Sequence, residues 1–482
     1  MTDTLNLQVK RRYIDMKKAV VISILLTFFI CSCTMAPKYT RPEAPIPSAW
    51  PKGDAYEDIG NVSDVSKVVG LDWREFFTDT KLKQIIDMAL QNNRDLRIAA
   101  LNVEKARALY GIQRAELFPT LNAYGVWTEQ KIPADISTKS GEAMNFKQFN
   151  ANLGVVSWEI DFFGRIRSLK DRALEQYLAT EQAHRSTGLA LIAEVANVCL
   201  SLAADRENLK YAKSTLLSQQ ESYDLIHRRY EMGVASELDL RMVQTRLEAV
   251  KVDVFKYTRQ VALNENALNL LVGSTVPPEL LPDSLSVVAE PKDVSPGLSS
   301  EVLLRRPDIL QAEGQLKAAN ASIGAARAAF FPRISLTGVT GTTSDELSGL
   351  FKAGSNTWTF SPQIVMPIFD PRLWSALEAS KVEREIVLSQ YEKAVQNAFK
   401  EASDTLAARG TISKQLHAQQ SLVRASEETY RLATARYMKG IDGYLGVLDA
   451  QRSLYAAQQN LVNFRFLHLA NRVTLYKVLG GG

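Results

Sequence analysis

Displaced by 213 residues, this chain matches itself. Asp95 meets Asp308, Gly111 meets Gly324, Arg114-Ala115 meets Arg327-Ala328, Phe118-Pro119 meets Phe331-Pro332, and Gly125 meets Gly338. Displaced by 207, the match resumes: Phe162 with Phe369, Ser168 with Ser375, Glu194 with Glu401, Arg229-Tyr230 with Arg436-Tyr437, and Gly233 with Gly440. Leu238, Gln244 and Leu247 then meet Leu445, Gln451 and Leu454, and Asn264, Leu268 and Gly273 meet Asn471, Leu475 and Gly480. The offset changes between Gly125 and Phe162, so the first copy has the longer connection there. A period near 210 is too long for a solenoid and means two homologous halves in one chain.

Each half has the same order of elements. A helix over roughly 80–116 in one half answers to 307–330 in the other. Pro307 suits a first helical turn, where its missing N–H costs nothing, and Phe118-Pro119 and Phe331-Pro332 stop the two helices. Strands follow near 120–130 and 334–342. The stretch 147–161 alternates poorly around Val155-Val156, which suggests a bulge. Trp358, Phe360, Pro362, Ile364, Met366 and Ile368 share one face of the clearest strand, with Thr357, Thr359, Ser361 and Gln363 on the other. Long helices are predicted over 166–231 and 373–438; no proline occurs between Ala134 and Val276 or after Pro371. Roughly 60 residues at 1.5 Å each make a rod of about 90 Å. Gly233 and Gly440/Gly443 break the rods, and return helices follow over 236–272 and 443–479.

The domain reading is therefore a leader over 1–32, an extended Pro-rich segment over 33–70, a first half over 71–273 (hairpin 120–163), a linker over 274–300 and a second half over 301–482 (hairpin 333–370). The leader is read from charge and hydropathy. Lys17 and Lys18 precede the apolar run Ala19–Cys33, the only long one apparent in the sequence, and at about 15 residues it is short for a spanning helix. Met16-Lys17-Lys18 makes a better start than the polar stretch before it. The exit Ile30-Cys31-Ser32-Cys33 resembles a bacterial lipobox, with Cys33 as the acylated residue. Thr34 in the next position, where Asp is absent, favours the outer membrane by analogy. An acyl chain adds about 0.8 kcal/mol per buried methylene. The prolines at 37, 42, 45, 47 and 51 keep the following segment extended.

Composition excludes several classes. The net charge is +4 and most of it lies in the first 32 residues, so nucleic-acid binding has little support. Apolar residues make up 46%, which is ordinary globular usage. Cys199 lies on an apolar helical face (Leu189, Ile192, Val195, Leu202) and reads as a packed core thiol. His184, His227, His417 and His468 are scattered at no metal-ligand spacing, and no HExxH, CxxC pair, phosphate loop or dinucleotide fingerprint occurs. The chain is read as a non-enzyme with no cofactor and no metal; a periplasmic hydrolase has no candidate residue.

Four strands cannot close a membrane barrel, which needs about eight or more, and an open edge in lipid leaves backbone groups unpaired. Either the strands stay out of lipid or several chains complete one barrel; three chains would supply twelve strands. The paired long helices would bury their apolar stripes side by side as an extended cylinder. Trp127, Trp158 and Trp358 adjoin the strands and suit either an interfacial girdle or ordinary packing.

The motifs then become specific: LDWREFFTD at Leu71–Asp79, NNRDLRIAALNVE at Asn92–Glu104, WEIDFFGRIRS at Trp158–Ser168, LRRPDILQAE at Leu304–Glu313, ANASIGAARAAFFPRISLTG at Ala319–Gly338, YLGVLDAQRSLYAAQQ at Tyr444–Gln459 and the terminal LGGG. In order, and over essentially all of Cys33–Gly482, they resemble TolC-like outer-membrane efflux channels, most closely the OprM-type lipoproteins of tripartite multidrug pumps (the NodT subfamily). The resemblance implies an α+β fold with internal duplication: a long antiparallel α-helical barrel, plus four β-strands per chain completing a trimeric 12-stranded transmembrane β-barrel. It implies a homotrimer in the outer membrane, lipid-anchored, with a periplasmic tunnel. The implied partners are a periplasmic membrane-fusion adaptor protein and an inner-membrane RND-type pump.

The resemblance also implies a periplasmic gate. Leu445 and Asp449 would form constricting rings, with Arg452 nearby, and their spacing puts all three on one helical face. Three copies of Asp449 would concentrate negative charge and favour cations. Asp239 matches the position that helps hold the tip helices together, and Tyr437 matches its hydrogen-bonding partner. Gly233 and Gly440 would mark the adaptor-contact turns, although a plain helix reversal explains the glycines equally well. Asp442 stands where TolC itself has an arginine, so that latch is not carried over whole. The expected function is a passive exit duct for small amphipathic compounds, opened by the adaptor. The alternatives are a type I protein-secretion conduit and a lipid-anchored helical scaffold without conductance.

Overall fold

The structure, a computed structural model, describes residues 34–56, 71–135, 142–294 and 299–481. The leader, the Met16 start and the acylation candidate Cys33 lie outside the described residues. The helices are α1 (Trp73–Phe76), α2 (Thr80–Asn92), α3 (Arg94–Ala115), α4 (Arg165–Glu231), α5 (Glu237–Val272), α6 (Pro307–Ala328), α7 (Pro371–Met438) and α8 (Tyr444–Val478); the strands are β1 (Asn122–Ile132), β2 (Met144–Ile160), β3 (Arg333–Ser344) and β4 (Asn356–Val365). The fold is α+β, mostly helical with one antiparallel sheet. The chain divides into two compact units, one of residues 1–42, 104–179 and 313–389, the other of 43–103, 180–312 and 390–482.

The first unit holds the sheet, in the order β1-β2-β3-β4. β2 carries a bulge between Val155 and Trp158, where Val155 faces Gly338 and Trp158 faces Leu336. The extra residue explains the poor alternation in the sequence. It places Trp158 on the same face as Val155, where strict alternation would place Glu159. The register then lines up Ala123, Leu153, Thr340 and Trp358 across one face, and Trp158, Leu336 and Pro362 further along it. The opposite face carries Asn152, Thr337, Thr357, Thr359, Ser361 and Gln363. The sheet is thus mainly apolar on one side and mainly polar on the other, with Tyr124, Val126 and Val339 as apolar exceptions, and its apolar side is exposed: Trp358 is 77% exposed, Phe360 62% and Ile364 68%. β1 and β4 are its two edges. A Cβ on Gly154 would lie 2.3 Å from Gly338 O, so β2 and β3 approach closely enough there to require glycine.

One expectation is corrected here. The last strand ends at Val365, short of Met366 and Ile368, because Pro367 has no N–H for the ladder. The tryptophans are not equivalent: Trp127 stacks on Phe149 (6.2 Å, 11°) on the open apolar face, whereas the Trp158 indole N–H donates to Leu117 O (3.3 Å).

In this unit residues 34–42 lie along α6. Asn320 Nδ2 donates to Pro37 O (2.7 Å), Arg327 to Met35 O (3.3 Å), and Tyr39 and Arg41 both engage the buried Glu313 carboxylate.

The second unit corrects the expected 80–116 helix. It is two helices, broken at Asn93, whose backbone is extended (ψ 131°). The Asn93 side chain caps α3 by accepting from Leu96 N–H (2.8 Å) and donates to Leu271 O (2.8 Å). At the equivalent place in the other half, Arg306 precedes α6 and donates to Val478 O (2.9 Å). The duplicated frame therefore repeats one tie, from the residue before the short helix to the last turn of the return helix, with different side chains. Asn264 and Asn471, equivalent in the two halves, each tie a return helix to a long helix but at non-equivalent points: Asn264 donates to Asp205 (2.7 Å) and Asn471 to Thr405 O (2.9 Å). Phe76 stacks on Tyr476 (4.3 Å) and packs edge-on to Phe77, all three buried. α4 also contains a second apolar window, of mean hydropathy 1.7, missed in the sequence reading. Val195, Ala196, Leu200, Leu202 and Ala203 there are buried, so it belongs to the packed core.

Candidate functional site

The two helix reversals that join α4 to α5 and α7 to α8 both lie in the second unit. Gly233 has φ +74° and Gly440 φ +72°, the left-handed region where a Cβ would be strained. At the first reversal Val234 N–H donates to Arg229 O (2.8 Å) and Gly233 N–H to Tyr230 O (2.9 Å). At the second, Ile441 N–H donates to Arg436 O (3.0 Å) and Gly440 N–H to Tyr437 O (2.9 Å). Both are Schellman closures, which satisfy the orphan carbonyls of a helix end.

Outside those backbone bonds the two tips differ. α5 begins with a reciprocal capping box: Asp239 N–H donates to Ser236 Oγ (3.1 Å), and Ser236 N–H donates back to Asp239 Oδ2 (3.1 Å). α8 begins at Gly443 without a side-chain cap. Arg229 donates to the Tyr437 hydroxyl, tying one tip to the other. Its counterpart Arg436 turns instead to Asp442 across its own turn, with two bonds of 2.5 and 3.1 Å. That guanidinium holds the Asp442 carboxyl below the usual carboxylate range, and the carboxylate raises Arg436 in turn. Asp442 is thus committed to the arginine six residues before it.

Asp239 and Tyr437, paired by family resemblance, take different partners here. The Asp239 carboxylate is used by its own helix start and the Tyr437 hydroxyl by Arg229. Leu445, Asp449 and Arg452 do share one exposed face of α8; Leu445 is 60% exposed. The face behind them, Val447, Leu448 and Ala450, is buried. Leu448 joins Ile226, Leu240 and Val243 in a small core that fixes α8 against α4 and α5. Arg452 is not merely near Asp449: its guanidinium binds the carboxylate directly (2.5 Å). The Asp449 carboxylate thus has a counter-charge within its own chain. Met232, Val234, Met438 and Ile441 project from the two turns and are exposed, Met438 at 80%.

Sequence reasoning missed Arg229, Arg436 and Gln451. Gln219 Nε2 donates to Gln451 Oε1 (2.7 Å), a buried bond between α4 and α8. The repeat of Gln244 as Gln451 was a signal for the position but not for its partner. Among the described residues, no cluster of His, Cys, Asp or Glu could hold a metal ion.

The family described as "Outer membrane efflux protein" matches residues 85–274 and 298–481. The probable efflux pump outer membrane protein TtgC of Pseudomonas putida is 46% identical over 468 residues, 97% of this chain and 96% of TtgC. A crystal structure of a membrane protein from Pseudomonas aeruginosa superposes with a TM-score of 0.87 at 40% identity, covering 93% of this chain and 98% of that one. The open state of the Neisseria gonorrhoeae MtrE outer membrane channel superposes with a TM-score of 0.82 at 36% identity, covering 93% and 98%.

Proposed function

This chain belongs to the outer membrane efflux protein family, and from that membership and its fold we propose a gated exit duct built from three copies. It is the outer-membrane channel component of an efflux system. The observation that carries the assembly is the sheet, which is apolar on one face, polar on the other and unpaired along β1 and β4. A sheet in lipid must close on itself. Pairing the β4 edge of one copy with the β1 edge of the next gives twelve strands around a polar lumen. The apolar face from Phe149 to Trp158 runs roughly 30 Å along its strand, which at a tilt of about 40° spans roughly the apolar band of an outer-membrane barrel. Exposed apolar residues on α3 (Ile98, Leu101, Leu109, Ile112) and α5 (Val252, Phe255, Leu263, Leu270) would be buried between neighbouring copies.

The remaining parts follow the same reading. Residues 1–32 are removed as a leader, Cys33 is acylated, and the Pro-rich segment 33–70 follows the anchor. The halves 71–273 and 301–482 are joined by 274–300. The tip formed by the Gly233 and Gly440 turns closes the duct, with Leu445 as the apolar constriction and the Asp449–Arg452 pair beneath it. A periplasmic adaptor docks on the exposed methionines and aliphatics of the two turns, and its contact replaces the Arg229–Tyr437 tie. An RND-type pump in the inner membrane selects the cargo, small amphipathic compounds, and the duct conducts it passively without chemistry.

Single-channel recording of the purified protein in planar bilayers tests this. The wild type should conduct weakly, and Leu445→Ala with Asp449→Ala should raise conductance several-fold. Absence of any conductance in both would leave a scaffold; equal conductance would refute the assigned constriction.

A further inference from the structure

The segment after α5 roofs a pocket of about 110 Å³ in the second unit. Its floor is Leu82, Ile85, Cys199 and Leu200, all 6% exposed or less. Leu281 and Val288 form part of the roof, and the exposed Lys81 and Asp283 stand at the rim. The floor is deep and the rim faces solvent, so a molecule can enter without unfolding the chain.

The roof is held off the floor by polar ties on both sides. Arg206 donates to Pro282 O (3.1 Å), and Leu285 N–H donates to Glu207 (3.0 Å). Ala289 N–H donates to Asp79 (3.3 Å), and Thr78 Oγ1 donates to Glu290 O (2.7 Å). Collapse of the roof would break these bonds, so the gap persists. Its lining atoms lack dispersion partners on one side. Asp79 is committed to Leu82 N–H and Ala289 N–H, and therefore does not ask for a cationic ligand. Burial pushes the Cys199 thiol up to about 12, so it stays a neutral, polarizable contact.

We propose that this pocket binds one neutral monocyclic aromatic molecule, its ring on Leu82, Ile85 and Leu200 and its edge against the Cys199 sulfur. An apolar cavity of about 150 Å³ stays dry and takes benzene; this one is somewhat smaller but open at the rim, so the ring seats with one edge toward Lys81 and Asp283. Sulfur against a ring edge is itself a favourable contact. The site owes nothing to the duct and would exist in a chain that conducted nothing.

Bromobenzene, soaked into crystals of the full chain and located by its bromine anomalous signal, is the test. A peak in contact with Cys199 Sγ is expected. Val288→Phe fills the pocket from its half-exposed roof and should abolish that peak. In solution, fluorobenzene should show saturable fluorine line broadening that falls at least tenfold in Val288→Phe. No bromine peak in the wild-type pocket, or undiminished broadening in Val288→Phe, would overturn the proposal.

Discussion

Arg452 changes the electrostatics expected of the gate. The sequence places Asp449 on an exposed helical face with Arg452 one turn on, but only the structure shows the guanidinium on the carboxylate. Arg452→Ala would leave a bare carboxylate on each copy of the chain. The reversal potential in a salt gradient should then move toward cation selectivity; an unmoved potential would show that Asp449 lies off the conduction path. Asp205 supports a second prediction. Burial raises it to about 6, against the hydrogen bond from Asn264. The folded state therefore holds this proton more tightly than the unfolded state. Stability from the group is full below about 4, falls as pH rises, and is lost above about 6. Asp205→Asn keeps an acceptor for Asn264 and removes the charge. It should stabilise the chain at pH 8 by about 1 kcal/mol, discounted because the site is only half buried, with no gain near pH 4. Thermal melts at the two pH values decide it.

At the scale of elements, the long helices, their glycine stops and the strand positions were legible because each depends on local pattern. Proline-free length, period-two alternation and turn residues act within a few positions of themselves. The structure moves the ends of the long and return helices by at most two residues. The break at Asn93 was not legible. Asn inside a helical pattern is an ordinary residue, and it becomes a cap only because Leu271 O lies within reach to hold its side chain. The bulge in β2 was visible as an irregularity; which residues it brought to the apolar face depended on the register with β3. The reversal glycines give the prediction at this scale. Nothing crowds a Cβ at Gly233 or Gly440, so Gly→Ala at either costs only the left-handed backbone, about 1–2 kcal/mol. Hydrogen exchange over residues 228–241 or 435–448 should quicken by about tenfold in the corresponding variant, with the sheet unaffected. Unchanged protection would mean that the turn is held by contacts other than its own.

For the whole molecule, the decisive property is a sheet that one chain cannot finish. Its polar face and the two strand edges left open within one chain make a single copy costly to place in lipid. Native mass spectrometry of the detergent-purified protein should give three chains, about 161 kDa from a chain of 53.6 kDa before leader removal and acylation. A monomer that still conducts would overturn the assembly.

The duplication, the alternation of helix and strand, and the choice between strands kept out of lipid and strands completed by partner copies are determined by the amino-acid sequence alone. They rest on spacing along the covalent chain and on the cost of unpaired backbone in lipid, neither of which requires knowing what touches what. Tertiary structure decided the partners. Arg229 bonds Tyr437 while its repeat Arg436 bonds Asp442, and Asp239 caps its own helix; identical positions in two homologous halves diverge in role. A side-chain hydrogen bond is settled over about 3 Å, among groups that the fold collects from positions as much as 405 residues apart, as in Tyr476 and Leu71.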